Sequence, residues 1–377
     1  MPQVSDAPMP EELSSRHLRT RLLQLAALVA VVVAIIWIVP GLGSLRHRFD
    51  RASAPWLAAG AALELLSTLS YVVVFRAVFC SRMSWRVSYL IGMAEQAANS
   101  LLPAGGAGGL ALGVWALRKG GVPAGHIARR TVAFFLLTSL ANVGTLIVFA
   151  AAFAVGILDH DTAPGLTLAF GIAAAAGIAL TLSLPAVWTR HAERRDPLSP
   201  GSGRLRVGAR RALDVLGDGV LDSLSMLRRR SAGVLSGSLG YMAFDIATLG
   251  ACFQAFGHSP ALGVLVVAYL IGQLGGLLPI PGGIGGIEGG LIGVFALYRV
   301  PIAESAAAVL AYRALQLWIP GMLGSIAFVA LRKTLDREPD SAGFCEPLAE
   351  PIDAQRIPRR LAGEAHSDTR RNISSSM

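Results

Sequence analysis

Eight residues could do chemistry where the surrounding sequence offers none. Glu64, Glu95, Gln96, Asn99, Asp245, Glu288, Arg313 and Gln316 all stand in long apolar runs. An ionisable group at mid-bilayer costs about 2.5–3.5 kcal/mol on insertion scales, so each needs a reason to be there. Glu64 and Asp245 are 181 residues apart. On a helix Glu64 shares a face with Ser67, Thr68 and Tyr71, and Asp245 shares one with Tyr241 and Thr248. Arg313 and Gln316 fall one helical turn apart. Asn142, with Thr138 and Thr145 at helical spacing, forms a further polar stripe, and Arg130 is a loose counterpart of Arg313. Two readings stand side by side. The acids and Arg313 contact a charged or hydroxylated headgroup, or carry protons, in a polar cavity. Alternatively they pair with one another and hold the helices together. Metal-ligand spacing, a nucleophile triad and a P-loop are all missing from the sequence, and no cofactor is expected.

The elements that must position these residues are transmembrane helices. The chain is 53% hydrophobic and only 15% charged, against about a quarter charged for an ordinary soluble domain. Uncharged runs over 22–40, 131–157 and 166–189, with the mostly apolar stretches of about 53–79, 233–256 and 305–331, read as six full spans. Arg16, Arg19 and Arg21 precede the first run, which is too long for a signal peptide and ends in Trp37-Ile38-Val39-Pro40-Gly41, so it reads as a retained helix.

Two further apolar segments, 87–117 and 262–298, are broken by proline and clustered glycine, which cannot continue a helix. They are versions of one another. Tyr89 and Tyr269 are 180 residues apart, and so are Gly113 and Gly293. Between these anchors lie Pro103, Gly105 and Gly106 in the first copy. The second copy has Pro279, Pro281, Gly282, Gly283, Gly285 and Gly286. A duplicated broken segment is the best sequence pointer to a transporter's substrate site. Close packing of half-helices competes with a site in which half-helix N-termini face an anion.

Arginine distribution orients the chain. If both broken segments enter and return, Arg82, Arg86, Arg118, Lys119, Arg129, Arg130, the 190–230 loop, Arg332 and Lys333 share the cytoplasmic side, with both termini. Asp159-His160-Asp161 is then outside, and Arg46, Arg48 and Arg51 violate the rule. The two hairpins enter from opposite faces. The expected fold is therefore all-α, with six full spans and two re-entrant hairpins in an inverted repeat. Repeat one covers about 53–157 and repeat two about 233–331, inside a transmembrane domain of 16–335. Within the cytoplasmic loop 190–232, Leu213, Leu216, Val220, Leu224 and Leu227 mark an amphipathic helix on the inner membrane face or packed on the protein. Residues 1–15 and 336–377 read as disordered cytoplasmic tails. Cys80, Cys252 and Cys345 suggest no disulfide framework.

Three features make the chain resemble the lysylphosphatidylglycerol synthase transmembrane-region family of flippase-like integral membrane proteins. They are Leu101-Leu102-Pro103 with its glycines, Leu277-Leu278-Pro279-Ile280-Pro281-Gly282-Gly283-Ile284-Gly285-Gly286 followed by Glu288, and Arg313. The resemblance spans about 20–335. It implies a bacterial inner (plasma) membrane protein that moves lipids or lipid-linked headgroups between leaflets. In the two-part aminoacyl-lipid synthases a soluble catalytic domain follows such a region; after Leu335 this chain continues as a short polar tail, so aminoacyl transfer is not expected. The expected function is translocation of a lipid or lipid-linked precursor, without enzymatic activity. The rivals are a non-transporting partner of a separate lipid- or glycan-modifying enzyme, and a small-solute secondary transporter. Expected partners are membrane lipids, anionic phospholipids or polyprenyl-linked precursors among them, and not nucleic acid. The +9 formal charge fits anionic headgroups or serves topology alone.

Overall fold

The computed structural model describes residues 49–102, 107–155, 204–277 and 281–337, with scattered positions between 169 and 183. The expected helix 22–40, the loops 158–165 and 190–203, and nearly all of both tails lie outside the described residues. So do Pro103, Gly105, Gly106, Pro279 and most of 166–189.

Among the described residues every regular element is helical. In chain order they are α1 (Ala54–Phe79), α2 (Trp85–Leu101), α3 (Ala107–Lys119), α4 (Ala124–Ala154), α5 (Arg204–Arg228), α6 (Ala232–Ala255), α7 (Leu262–Gly272), α8 (Gly286–Leu297) and α9 (Ile302–Arg337). Four of them are long and apolar enough to cross a bilayer: α1, most of α4, α6 and α9. By contrast α2, α3, α7 and α8 have 17, 13, 11 and 12 residues. At 1.5 Å per residue these are about 17 to 26 Å long, short of a hydrocarbon core about 30 Å thick.

Local sequence sets the helix ends. Pro55 opens α1 where its missing N–H costs nothing. Ser84 caps α2 by accepting from the Val87 N–H at 3.2 Å. Leu102 is extended because proline follows it. The second break is built on glycine: Gly282, Gly283 and Gly285 all have positive φ, at 60°, 64° and 87°.

The helices are inside out relative to a soluble bundle. On α1, Leu65, Leu66 and Leu69 are 41–46% exposed while Glu64, Ser67 and Thr68 are buried to 3% or less. On α9, Met322, Ile326 and Val329 face outward while Arg313 is 4% exposed. Apolar faces directed outward with polar residues hidden are what lipid as solvent selects.

The most extensive helix pair is α1 with α6. Ser53 N–H donates to the Ala255 carbonyl, Thr248 Oγ1 to the Gly60 carbonyl, and Ser67 Oγ to the Tyr241 carbonyl. Each seven-residue step forward along α1 is matched by an equal step back along α6, so the two are antiparallel in fixed register. Gly237 and Gly240 let the backbones approach, since side chains there would strike Val74 and Ser70.

Two apolar cores result. One joins Tyr71–Phe79 of α1, α2, α3, the start of α4 and Ala327–Leu335 of α9. The other joins Met242–Ala255 of α6, α7, α8 and Ala307–Tyr312 of α9. The stretch of α9 from Arg313 to Gln316 falls at their seam.

α5 packs on α4 through Gly219, Val220 and Ser223, with Arg130 at 3.7 Å from Asp222. Leu213 and Leu216, which share the expected stripe with Val220, stay exposed. Packing on the protein therefore uses part of the stripe and leaves the rest outward. Arg130 is occupied here and does not reach the seam as a counterpart of Arg313. Cys252 is buried and free.

Candidate functional site

Arg313 organises the seam. Its Nε donates to Glu288 Oε1 at 2.8 Å, one terminal nitrogen donates to Gln316 Oε1, and the other to the Gly282 carbonyl. The Arg313 side chain is 5% exposed and the Glu288 side chain 15%, so this is a largely buried ion pair. Glu288 Oε2 accepts from the Gly285 N–H at 2.6 Å and thereby caps α8. The carbonyl that reaches Arg313 is free because the helix is broken at Gly282. The glycine break, the cap and the cation are one construction.

From Arg313 the network continues to α6. Gln316 Nε2 donates to Asp245 Oδ2 at 3.1 Å, and Tyr269 O–H donates to the same oxygen at 2.8 Å. Asp245 is 2% exposed and Glu64 3%. The α1–α6 register sets the two residues abreast. Glu64 lies midway between Gly60 and Ser67, and Asp245 between Tyr241 and Thr248. No protein donor among the described residues reaches Glu64 Oε2 or Asp245 Oδ1.

The first broken segment has a corresponding set of contacts. Glu95 Oε2 accepts from Tyr71 O–H at 2.9 Å, with its other oxygen lying against Gly113, where any side chain would collide with it. Tyr71–Glu95 and Tyr269–Asp245 each join a long helix to a broken segment, with donor and acceptor exchanged. Gln96 Nε2 donates to the Thr68 carbonyl at 3.3 Å, and Asn99 Oδ1 accepts the Gly109 N–H at 2.8 Å near the start of α3.

These groups enclose a cavity of about 180 Å³. Its lining includes Glu64, Gln96, Asn99, Asp245, Arg313 and Gln316, with Tyr71, Ser100 and Tyr241, Gly276, Gly282 and Gly283, and Ile287 and Leu317. Six of the eight polar residues read from the sequence therefore converge. Glu288 adjoins the lining through Arg313, whereas Glu95 turns to Tyr71 and Gly113. Of the hairpin residues, Gly282 and Gly283 line the cavity, and Gly285 and Gly286 shape α8 behind it. Asn142 is half-buried and no part of the lining.

Sequence reasoning missed Tyr269 and Tyr312. In the sequence Tyr269 reads only as an anchor of the repeat and Tyr312 carries no reading, but Tyr269 donates to Asp245, and Tyr312 accepts from Gln273 Nε2 at 3.2 Å. Their signal was a hydroxyl within an apolar run, next to Arg313 in the case of Tyr312.

The cavity is polar in an apolar bundle, holds both charge signs, and is bounded by both glycine-broken segments. No solved structure matches the chain. Over 99 residues it is 37% identical to a UPF0104 membrane protein of Methanothermobacter thermautotrophicus, a stretch covering 26% of this chain and 28% of that protein. The family model for the lysylphosphatidylglycerol synthase TM region matches residues 24–324. With that match over most of its length and helices whose polar residues face inward, the chain is a multi-pass helical membrane protein belonging to the lysylphosphatidylglycerol synthase TM-region family.

Proposed function

We propose that this protein translocates the polar headgroup of a lipid or lipid-linked precursor through the cavity at the seam, in the cytoplasmic (inner) membrane. The observation that carries the reading is the cavity itself, where Glu64, Asp245, Arg313 and Gln316 converge beside Gly282 and Gly283. Its size favours a headgroup. About 180 Å³ is the volume of about six waters, and pockets that take drug-sized ligands measure about 300–1,000 Å³. A phosphate or small polar group fits; acyl chains would stay in lipid.

The architecture that goes with it is an inverted repeat, about 53–157 and 233–331, within a domain of 16–335. It has six full spans, the hairpins α2–α3 and α7–α8 re-entrant, and both termini and loop 190–232 cytoplasmic. The antiparallel pairing of α1 with α6 and the shortness of the four hairpin helices support it. No catalytic role is assigned. Movement would follow alternating exposure of the seam as one repeat rocks against the other.

The test is a leaflet assay on the purified chain in vesicles carrying one labelled lipid at a time: phosphatidylglycerol, phosphatidylcholine or a polyprenyl-phosphate sugar. We expect one headgroup class to move, with the movement abolished in Arg313→Gln. A chain that moves none of them, and instead exchanges a water-soluble solute or only binds a lipid-modifying enzyme, would overturn the reading.

A further inference from the structure

We propose that Glu64 and Asp245 form a proton-binding site in which the two carboxyls share one proton, and that this proton governs headgroup entry. The second half of this inference rests on the translocation reading; the first half does not.

The geometry sets the requirement. Both acids are nine-tenths or more buried, stand abreast in the α1–α6 register and line the same cavity, and each keeps one buried oxygen that no protein donor among the described residues reaches. Two ionised carboxylates cannot share such a site, because each oxygen offers only lone pairs. A proton held between them turns one acid into a donor and the other into its acceptor. The register of α1 against α6 keeps them together.

The surrounding groups do not neutralise the pair. On α1 itself, Tyr71 is engaged with Glu95 of α2. On α6 the neighbours are Tyr241 and Cys252, and from α7 Tyr269 satisfies only Asp245 Oδ2. α9 supplies Tyr312 and Arg313, but Arg313 is bound to Glu288 of α8. α4 has no ionisable residue from 131 to 154, and its Arg130 pairs with Asp222 of α5. Among the described residues Arg313 is thus the sole buried cation near three buried acids, and the half-buried Glu288 holds it.

A proton fits better than a metal cation. Hard cations gather about six or more oxygens. Of the other oxygens lining the cavity, the Gly282 carbonyl and Gln316 Oε1 take Arg313 and Asn99 Oδ1 takes the Gly109 N–H, which leaves neutral hydroxyls and Gln96 Oε1 beside the pair. Two free acceptors side by side suit one proton. With the proton present, an anionic headgroup meets one negative charge fewer beside Arg313. With it gone, the second carboxylate repels that headgroup.

Infrared titration of the carboxylic C=O band, on the full chain in vesicles, reads the proton without any lipid substrate. We expect a band equivalent to one shared proton that vanishes as pH rises. It should be absent from Glu64→Gln and Asp245→Asn and retained in Glu95→Gln. If either amide variant fails to fold, Glu64→Asp should shift the band rather than remove it. A wild type with no such component at any pH, or a band whose titration moves with sodium at constant ionic strength, would overturn the proton site. The leaflet assay with fluorescent phosphatidylglycerol supplies the second arm. Its rate should fall with rising pH, by up to about tenfold per unit once the pair is mostly ionised. A rate flat across the band's titration overturns the coupling alone. No lipid movement at any pH, with the band present, overturns the translocation reading and leaves the proton site standing.

Discussion

Arg313 has three commitments at once, to a side chain of α8, a side chain one turn along α9 and a backbone carbonyl of the break. A guanidinium carries five N–H donors, and these contacts use three. The remaining donors belong to a residue that lines the cavity, so Arg313 can hold the break closed and still meet an anion. The two roles separate by mutation. Arg313→Gln or Glu288→Gln alone should lower stability by about 3 kcal/mol, because each leaves its partner buried and uncompensated. The double change should recover part of that loss and still abolish translocation. Thermal unfolding of the four proteins in detergent, beside the leaflet assay, checks it. Single variants as stable as the parent would mean the pair fastens nothing.

At the scale of elements, the second break separates backbone need from space. A Cβ on Gly285 meets nothing within 4 Å, but φ there is 87°. With ψ at −41°, outside the left-handed helical region that asparagine tolerates, Gly285→Ala and Gly285→Asn should each cost about 1–3 kcal/mol through backbone strain alone. Gly283 adds a steric penalty, since a Cβ would lie 2.8 Å from Ile287 Cδ1. Gly283→Leu, which adds a clash to the strain, should lose more folded yield than Gly285→Ala. Yield by fluorescence-detected size exclusion would show this, and equal tolerance at the two positions would contradict the account. The glycine clusters in the sequence announced a break. They did not reveal that Glu288 caps the following helix or that Arg313 takes the carbonyl the break exposes, because both contacts cross between helices.

For the whole molecule, the open quantity is orientation. With the N-terminus cytoplasmic, a cysteine placed at Ser199 should label only from the cytoplasmic side, and one at Thr162 only from outside, in sealed vesicles of known sidedness. Labelling of both from one side would rule out oppositely entering hairpins. Lys119 and Asp336, 2.7 Å apart, tie the end of α3 to the end of α9, so the two ends lie on one side of the bundle.

Sequence alone determined the helical membrane class, because apolar run length against bilayer thickness is a one-dimensional property. It also determined where the breaks fall, since proline and glycine act locally, and it marked the polar residues, since a charge in an apolar run is conspicuous wherever the helix goes. It left open whether those charges meet. The antiparallel register that sets Glu64 beside Asp245, the turn of Glu95 toward Tyr71, and the recruitment of Tyr269 and Gln316 to Asp245 were decided only by tertiary packing. Each depends on which faces of two helices distant in sequence are pressed together. Small residues at Gly237, Gly240 and Gly113 set that, and helical periodicity within either segment does not encode it.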